Sequence, residues 1–295
     1  LPERAFLGDG ADVTGALAAA DGRAAPVGER DGRFIGRLAR EQVLTLEFAA
    51  PLEGPGEPLL VADGWVEYPY SQTLFAAWQA GAEYRPPTLE GRDGAGRWYT
   101  LARRFGYPAG MPRRMSLPLE GLRPGTDALR LSGNMEVYWD RLAVAWAEPP
   151  GEARRRVLPL AAARQAKTGF PRWSTGPQRR PHYDYGDRSP FWDTKYPEGR
   201  YTRLGPVAEL VAAHDDAVAV IGPGEEVHLA FAAAPEGPPP GWTRRFVLET
   251  RGWAKDMDLF TRDGERVGPM PSSGRPTAPR DALHARYLTR YLAGR

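Results

Sequence analysis

Val43-Leu44-Thr45-Leu46-Glu47-Phe48 alternates between two faces, with Leu44, Leu46 and Phe48 on one side and Val43, Thr45 and Glu47 on the other. A period of two marks a strand with one buried face. Short β-branched or aromatic runs bounded by Gly and Pro extend this reading in both directions. They place strands near Leu59–Val66, Pro87–Gly91, Arg97–Leu101, Met115–Leu119, Leu129–Ser132 and Glu136–Trp146. A second series falls near Val157–Leu160, Ala217–Ile221, Val227–Phe231 and Arg245–Thr250. Asp93-Gly94-Ala95-Gly96, Asp263-Gly264 and Gly222-Pro223-Gly224 provide turns, because glycine accepts positive φ without steric cost.

Helical signals are fewer. Pro206 opens Val207–Ala213, and Asp281–Leu292 carries Leu283, Tyr287, Leu288 and Tyr291 at helical spacing. Many short strands with turn signals indicate an all-β protein. The expected architecture is two packed β-sandwiches, jelly-roll or galactose-binding-like, with a short C-terminal helix. Residues 1–150 form the first sandwich, 151–205 an ordered connecting arm, and 206–295 the second sandwich. An internal echo supports duplication. Leu59–Val61 runs into Gly64-Trp65 much as Phe246–Leu248 runs into Gly252-Trp253, and Arg92-Asp93-Gly94 matches Arg262-Asp263-Gly264.

Composition narrows the function classes. The 295 residues carry 39 basic and 37 acidic side chains, a net charge of +2, and no cysteine. Disulfides, thiolate metal sites and a cysteine nucleophile are therefore excluded. No apolar run reaches the roughly 18 residues of a membrane span. Only Lys167, Lys195 and Lys255 are lysines and Asn134 is the sole asparagine, a bias that suits a GC-rich genome or a hot habitat. The chain starts at Leu1, so it is expected to be processed or cut from a longer one, without a retained export signal.

The stretch 151–203 differs from the rest, with twelve basic side chains against five acidic ones and many aromatics. Disordered linkers are poor in aromatics, so this arm is expected to be ordered and to lie on the surface. Its Trp173, Tyr183, Tyr185 and Trp192 are candidate contact residues. So are Tyr68, Tyr70, Trp78 and Tyr84 in the Pro-flanked insertion of the first half, because flat rings suit protein or glycan partners. Nucleic acid is not expected: the chain is nearly neutral and carries no recognised binding motif.

Two acid-rich runs are candidate Ca²⁺ loops, since Ca²⁺ takes six to eight oxygen ligands. One holds Asp184 and Asp187 beside His182. The other holds Asp256, Asp258 and Asp263. Neither has EF-hand spacing, and no other cofactor is indicated. The four histidines are scattered, and Gly-x-Ser-x-Gly, Gly-x-Gly-x-x-Gly and P-loop patterns are absent. A carboxylate-pair glycan hydrolase stays open as an alternative, because its two acids need no sequence proximity.

Several longer words carry a family resemblance. These are Asp63-Gly64-Trp65, Phe105-Gly106-Tyr107-Pro108-Ala109-Gly110, Asn134-Met135-Glu136-Val137-Tyr138-Trp139-Asp140, Arg200–Pro206, Ile221–Glu226 and Gly252–Asp258. Together they resemble the C-terminal region of bacterial proteins with FG-GAP propeller repeats and an ASPIC/UnbV module. The resemblance implies an extracellular or periplasmic, non-catalytic β module that contacts a protein or glycan. It also implies a propeller-type domain, in the same or a neighbouring chain, as a partner. No catalytic residues carry over, and this chain contains neither the propeller repeats nor the ASPIC/UnbV segment. A structural subunit of a larger extracellular assembly is the alternative reading.

Overall fold

The computed structural model describes residues 1–147, 151–192, 194–233, 236–255, 262–270 and 278–294. Strands dominate, as the sequence predicts. The chain divides into two compact units, 1–153 with 173–182, and 154–172 with 183–295. The stretch read as a connecting arm is thus shared between them.

The first unit is built from two antiparallel sheets. One orders β1 (Arg4–Leu7), β2 (Arg37–Glu47), β7 (Ala128–Met135), β4 (Thr88–Arg92) and β5 (Trp98–Ala102). The other orders β6 (Arg113–Pro118), β3 (Glu57–Val66) and β8 (Val137–Ala147). Leu44 and Leu46 of β2, Leu89 of β4, and Leu129 and Leu131 of β7 meet Leu60, Ala62 and Val66 of β3 and Trp139 and Leu142 of β8 in one core. The alternation of 43–48 thus decides which face of β2 is dry.

In β8 the alternation breaks. Val137 and Trp139 face the core before residue 140, whereas Leu142, Val144 and Trp146 face it afterwards. The register explains the change: Asp63 pairs with Arg141 and Gly64 with Trp139, so Asp140 is an extra, bulged residue. Gly64 lies opposite, where a Cβ would come within 2.2 Å of the Tyr138 carbonyl oxygen. The bulge aims the Asp140 carboxylate at the Gly22 N–H, 3.0 Å away, and fastens the segment that covers this sheet.

The insertion after β3 contains a helix that the sequence reading treats as irregular, α1 (Ser71–Gln79). Leu74, Ala76, Ala77 and the glutamines are good helix formers. Ala77 is fully buried beneath it, and Gly81 at φ +68° ends it.

The second unit is smaller in core. A three-stranded sheet orders β13 (Gly205–Pro206), β9 (Leu160–Lys167) and β14 (Glu225–Phe231), while β12 (Gly199–Tyr201) pairs with β15 (Arg290–Leu292). Hairpin β10 (Phe170–Thr175) and β11 (Pro181–Ser189) contributes residues to both units. Helices α2 (Ala208–Val211) and α3 (Ala278–Tyr287) add Val207, Leu210 and Tyr287 to a cluster with Ala163 and Ala217. The tail is therefore a helix followed by a short strand. Ala217–Ile221 and Arg245–Thr250 lie outside strands, and Trp253 is exposed whereas its echo Trp65 is fully buried. The described residues of the second unit thus form these small sheets, not a repeat of the first sandwich.

Candidate functional site

The insertion of the first unit is held from below by polar contacts that leave its rings outward. Asn134 Oδ1 accepts from the Arg85 N–H at 2.6 Å, while its Nδ2 donates to the Glu83 carbonyl at 2.9 Å. Arg37 Nε donates to the same carbonyl, and Arg104 pairs with the Glu83 side chain. The Tyr84 hydroxyl donates to the Ile35 carbonyl at 2.5 Å, and burial pushes its pKa up to about 12. Tyr84 thus helps to support the insertion. Gly36, at φ +71°, packs against the Glu67 carbonyl and Pro69, where a Cβ would come within 2.1 Å of that oxygen. This sets Ile35 beside the start of the insertion.

Asp31 anchors the loop that carries Ile35 and Gly36. Its carboxylate accepts from Arg33 Nη2 at 3.0 Å and also pairs with Arg37. The hydrogen bonds from Arg33 chiefly hold its pKa down to about 2. A depressed carboxylate stabilises the fold fully above its unfolded value near 4 and loses that contribution as pH falls through about 2. Asp31→Asn is therefore expected to lower the melting temperature at pH 7 by a few degrees, with a gap to wild type that closes as pH approaches 2. Melting curves across this range check it, and a gap of constant size would contradict the assignment.

Above these supports, Leu74 and Trp78 stand four residues apart on one face of α1, and Tyr70 precedes the helix as its extended N-cap residue. All three are exposed, Trp78 by 72%, and Tyr68 and Ile35 are exposed as well. Tyr68 meets Tyr70 edge to face at 6.1 Å, and Phe75 braces Trp78 at 5.5 Å. The result is an apolar stripe along a surface helix and its N-cap.

A second aromatic site, on the outer face of β3 and β8, is closed by the chain itself. Trp65 and Tyr138 stack at 5.6 Å and are covered by Ala24 and Val27. Residues 176–180 seal the edge. Trp65 Nε1 donates to the Gln178 carbonyl at 2.9 Å, and the Gln178 amide brackets Ala24, accepting from its N–H and donating to its carbonyl. Glu136, nearly fully buried, accepts from the Tyr138 hydroxyl at 2.5 Å and pairs with Arg30 at 2.8 Å and Arg179 at 3.4 Å. Burial, first, and the bond to Glu136 push Tyr138 up to about 12. The sequence reading missed Glu136, Arg30, Gln178 and Arg179. Only the two-residue spacing of Glu136 and Tyr138 hinted at a shared face.

The other expected contact residues lie outside the insertion in sequence. Trp173 is exposed and belongs to the first unit, whereas Tyr183, Tyr185 and Trp192 belong to the second. Tyr183 and Tyr185 tilt together at 6.5 Å, with Arg188 over the Tyr185 ring. Asp184 closes a local turn by accepting from the Gly186 N–H, and Asp187 pairs with Arg172 at 3.0 Å. Asp263 lies beside Arg262, while Asp256 and Asp258 fall outside the described residues. Among the described residues no group of three or more His, Asp or Glu is placed to hold a metal ion.

Several buried carboxylates already have partners. Arg114 and Arg141 both reach Asp63 at 2.9 Å. Asp93 accepts from the Ala95 and Arg97 N–H groups. Arg290 and Gln165 hold Glu225. Such arrangements fix loops and strand ends. No family model matches this chain, and comparisons with curated proteins and with solved structures find no similar one.

Proposed function

We propose that this chain is a non-catalytic contact module working outside the cytoplasm, and that its first unit lays the Tyr70–Leu74–Trp78 stripe into an apolar groove of a protein partner. The observation that carries this reading is the stripe itself, Leu74 and Trp78 on one exposed helix face with the exposed N-cap residue Tyr70 at its start. Helices dock into grooves through anchors at this spacing, and Trp and Tyr are over-represented among residues that dominate interface energies. A protein groove fits better than a sugar, because Leu74 interrupts the rings and glycan platforms need polar groups beside them. The partnered state of Asp63, Asp93, Glu136 and Glu225 supports a non-catalytic role. The resemblance to exported propeller proteins supports the extracytoplasmic setting and a propeller-type partner.

The test compares immobilised wild type with a Leu74→Ala/Trp78→Ala double variant against candidate propeller proteins and against glycans. Protein binding is expected to weaken by about tenfold or more, as loss of a hot-spot anchor does. The melting temperature should barely move, because both side chains face water. Unchanged protein binding, or retention of glycans alone, would overturn the reading.

A further inference from the structure

We infer that residues 245–250 and the free edge of β14 are the two halves of an intermolecular sheet, through which two copies of this chain pair reciprocally. Both halves lie in the second unit, away from the α1 stripe in sequence, and the inference does not rest on the function proposed above.

Each half is incomplete in one copy. Strand β14 is bonded to β9 along one side, and among the described residues no strand lies along the other. Its Leu229 and Phe231 are both exposed. An exposed strand edge is a template for a further strand. Arg245-Phe246-Val247-Leu248-Glu249-Thr250 is built like such a strand, with β-branched and aromatic residues and Phe246 and Leu248 on one face of an extended chain. Yet it lies outside helix and sheet, and among the described residues no backbone hydrogen bond holds it. Phe246, Val247 and Leu248 are 69%, 84% and 62% exposed. Three consecutive large apolar side chains in water are what association removes.

The two halves also match in detail. Antiparallel pairing that sets Leu248 against Leu229 brings Phe246 to Phe231 and Val247 to Ala230. The same register places Glu249 opposite His228 and Arg251 opposite Glu226, so the charges across it are complementary. Glu226 keeps its own Arg188 at 2.7 Å, and Glu249 exchanges only a solvent-exposed pair with Arg155. Among the described residues no backbone hydrogen bond joins the segment to the edge, and a second copy is the source that carries both matching parts. Exchange in both directions closes a two-fold dimer and leaves neither edge open.

Light scattering coupled to size exclusion, on the full chain over a wide concentration range, tests this. Wild type is expected at twice the monomer mass. Val247→Pro should halve the mass: proline cannot donate to a ladder, and among the described residues no backbone hydrogen bond involves this residue. Phe246→Asp/Leu248→Asp and, separately, Leu229→Asp should do the same. Mixing these last two proteins should restore a dimer, because one copy keeps its strand and the other its edge. That recovery also shows that both variants are folded. A monomeric wild type at every concentration, a Val247→Pro protein that stays dimeric, or a mixture that stays monomeric would overturn the inference. So would a monomer whose 245–250 amides resist hydrogen exchange, since the strand would then pair within its own copy.

Discussion

In the Trp65→Ala protein the first unit is expected to unfold about 10 °C earlier than in wild type, from a loss of about 3–5 kcal/mol. Trp65 has no solvent exposure, stacks on Tyr138 and donates to the Gln178 carbonyl, so alanine opens a cavity and orphans that acceptor together. The second consequence is local. Residues 176–180 lose their hydrogen bond to the ring and the ring face beside Arg180. Gln178 and Arg179 both hold positive φ, a backbone state that persists in such residues only when the surroundings enforce it. Limited trypsin digestion should therefore cut the variant after Arg179 well before wild type, the Arg180–Pro181 bond itself being resistant to trypsin. Equal cleavage rates in the two proteins would show that the segment is held by something other than this ring.

Gly64→Ala is expected to be about as damaging, at about 3 kcal/mol or more. The new methyl group would meet the Tyr138 carbonyl at 2.2 Å, and that oxygen belongs to the backbone of the neighbouring strand. It cannot swing away as a flexible side chain would. Relief requires parting β3 from β8 at the bulge that aims Asp140, so the loop at Gly22 should loosen as well. Gly252→Ala is the matched control, because among the described residues nothing lies within 4 Å of the position its Cβ would take. Chemical denaturation of both variants measures the contrast, and equal stabilities would remove the bulge from the account.

This pair of glycines also marks where the sequence stops being legible. Gly64-Trp65 and Gly252-Trp253 look like two copies of one word, yet the first Trp is buried and the second exposed. A short word records side-chain types, whereas burial depends on which chain segments arrive to cover it. Trp65 is covered by Ala24 and Gln178, which lie far away in both directions along the chain. For the same reason the buried set Glu136, Arg30 and Arg179 left almost no trace in local spacing. The strands of the first unit were readable because alternation and turn glycines are local signals. The parity change in β8 was not, since one bulged residue shifts every later side chain.

Two local readings met different outcomes. Helix α1 was hidden by its short length and by the prolines and aromatics around it. Once formed, it gives Leu74 and Trp78 a common face that a loop would not have, with Tyr70 capping its start. The sequence 245–250 has the composition of a strand but finds no ladder among the described residues, and composition alone does not supply the neighbour that a strand needs. Of the expected contact residues, Tyr68, Tyr70 and Trp78 are exposed in one insertion, Tyr84 bonds the Ile35 carbonyl in the same insertion, Trp173 belongs to the first unit, and Tyr183, Tyr185 and Trp192 to the second.

The stripe on α1 is most directly tested by a photo-reactive residue placed at Leu74 in the native host, with exposed Ser116 on β6 as the control position. Irradiation should yield one discrete protein adduct from position 74, absent from position 116 and lost when Trp78→Ala is added. No adduct from position 74, or the same adducts from both positions, would contradict the assignment of this helix face as the contact surface.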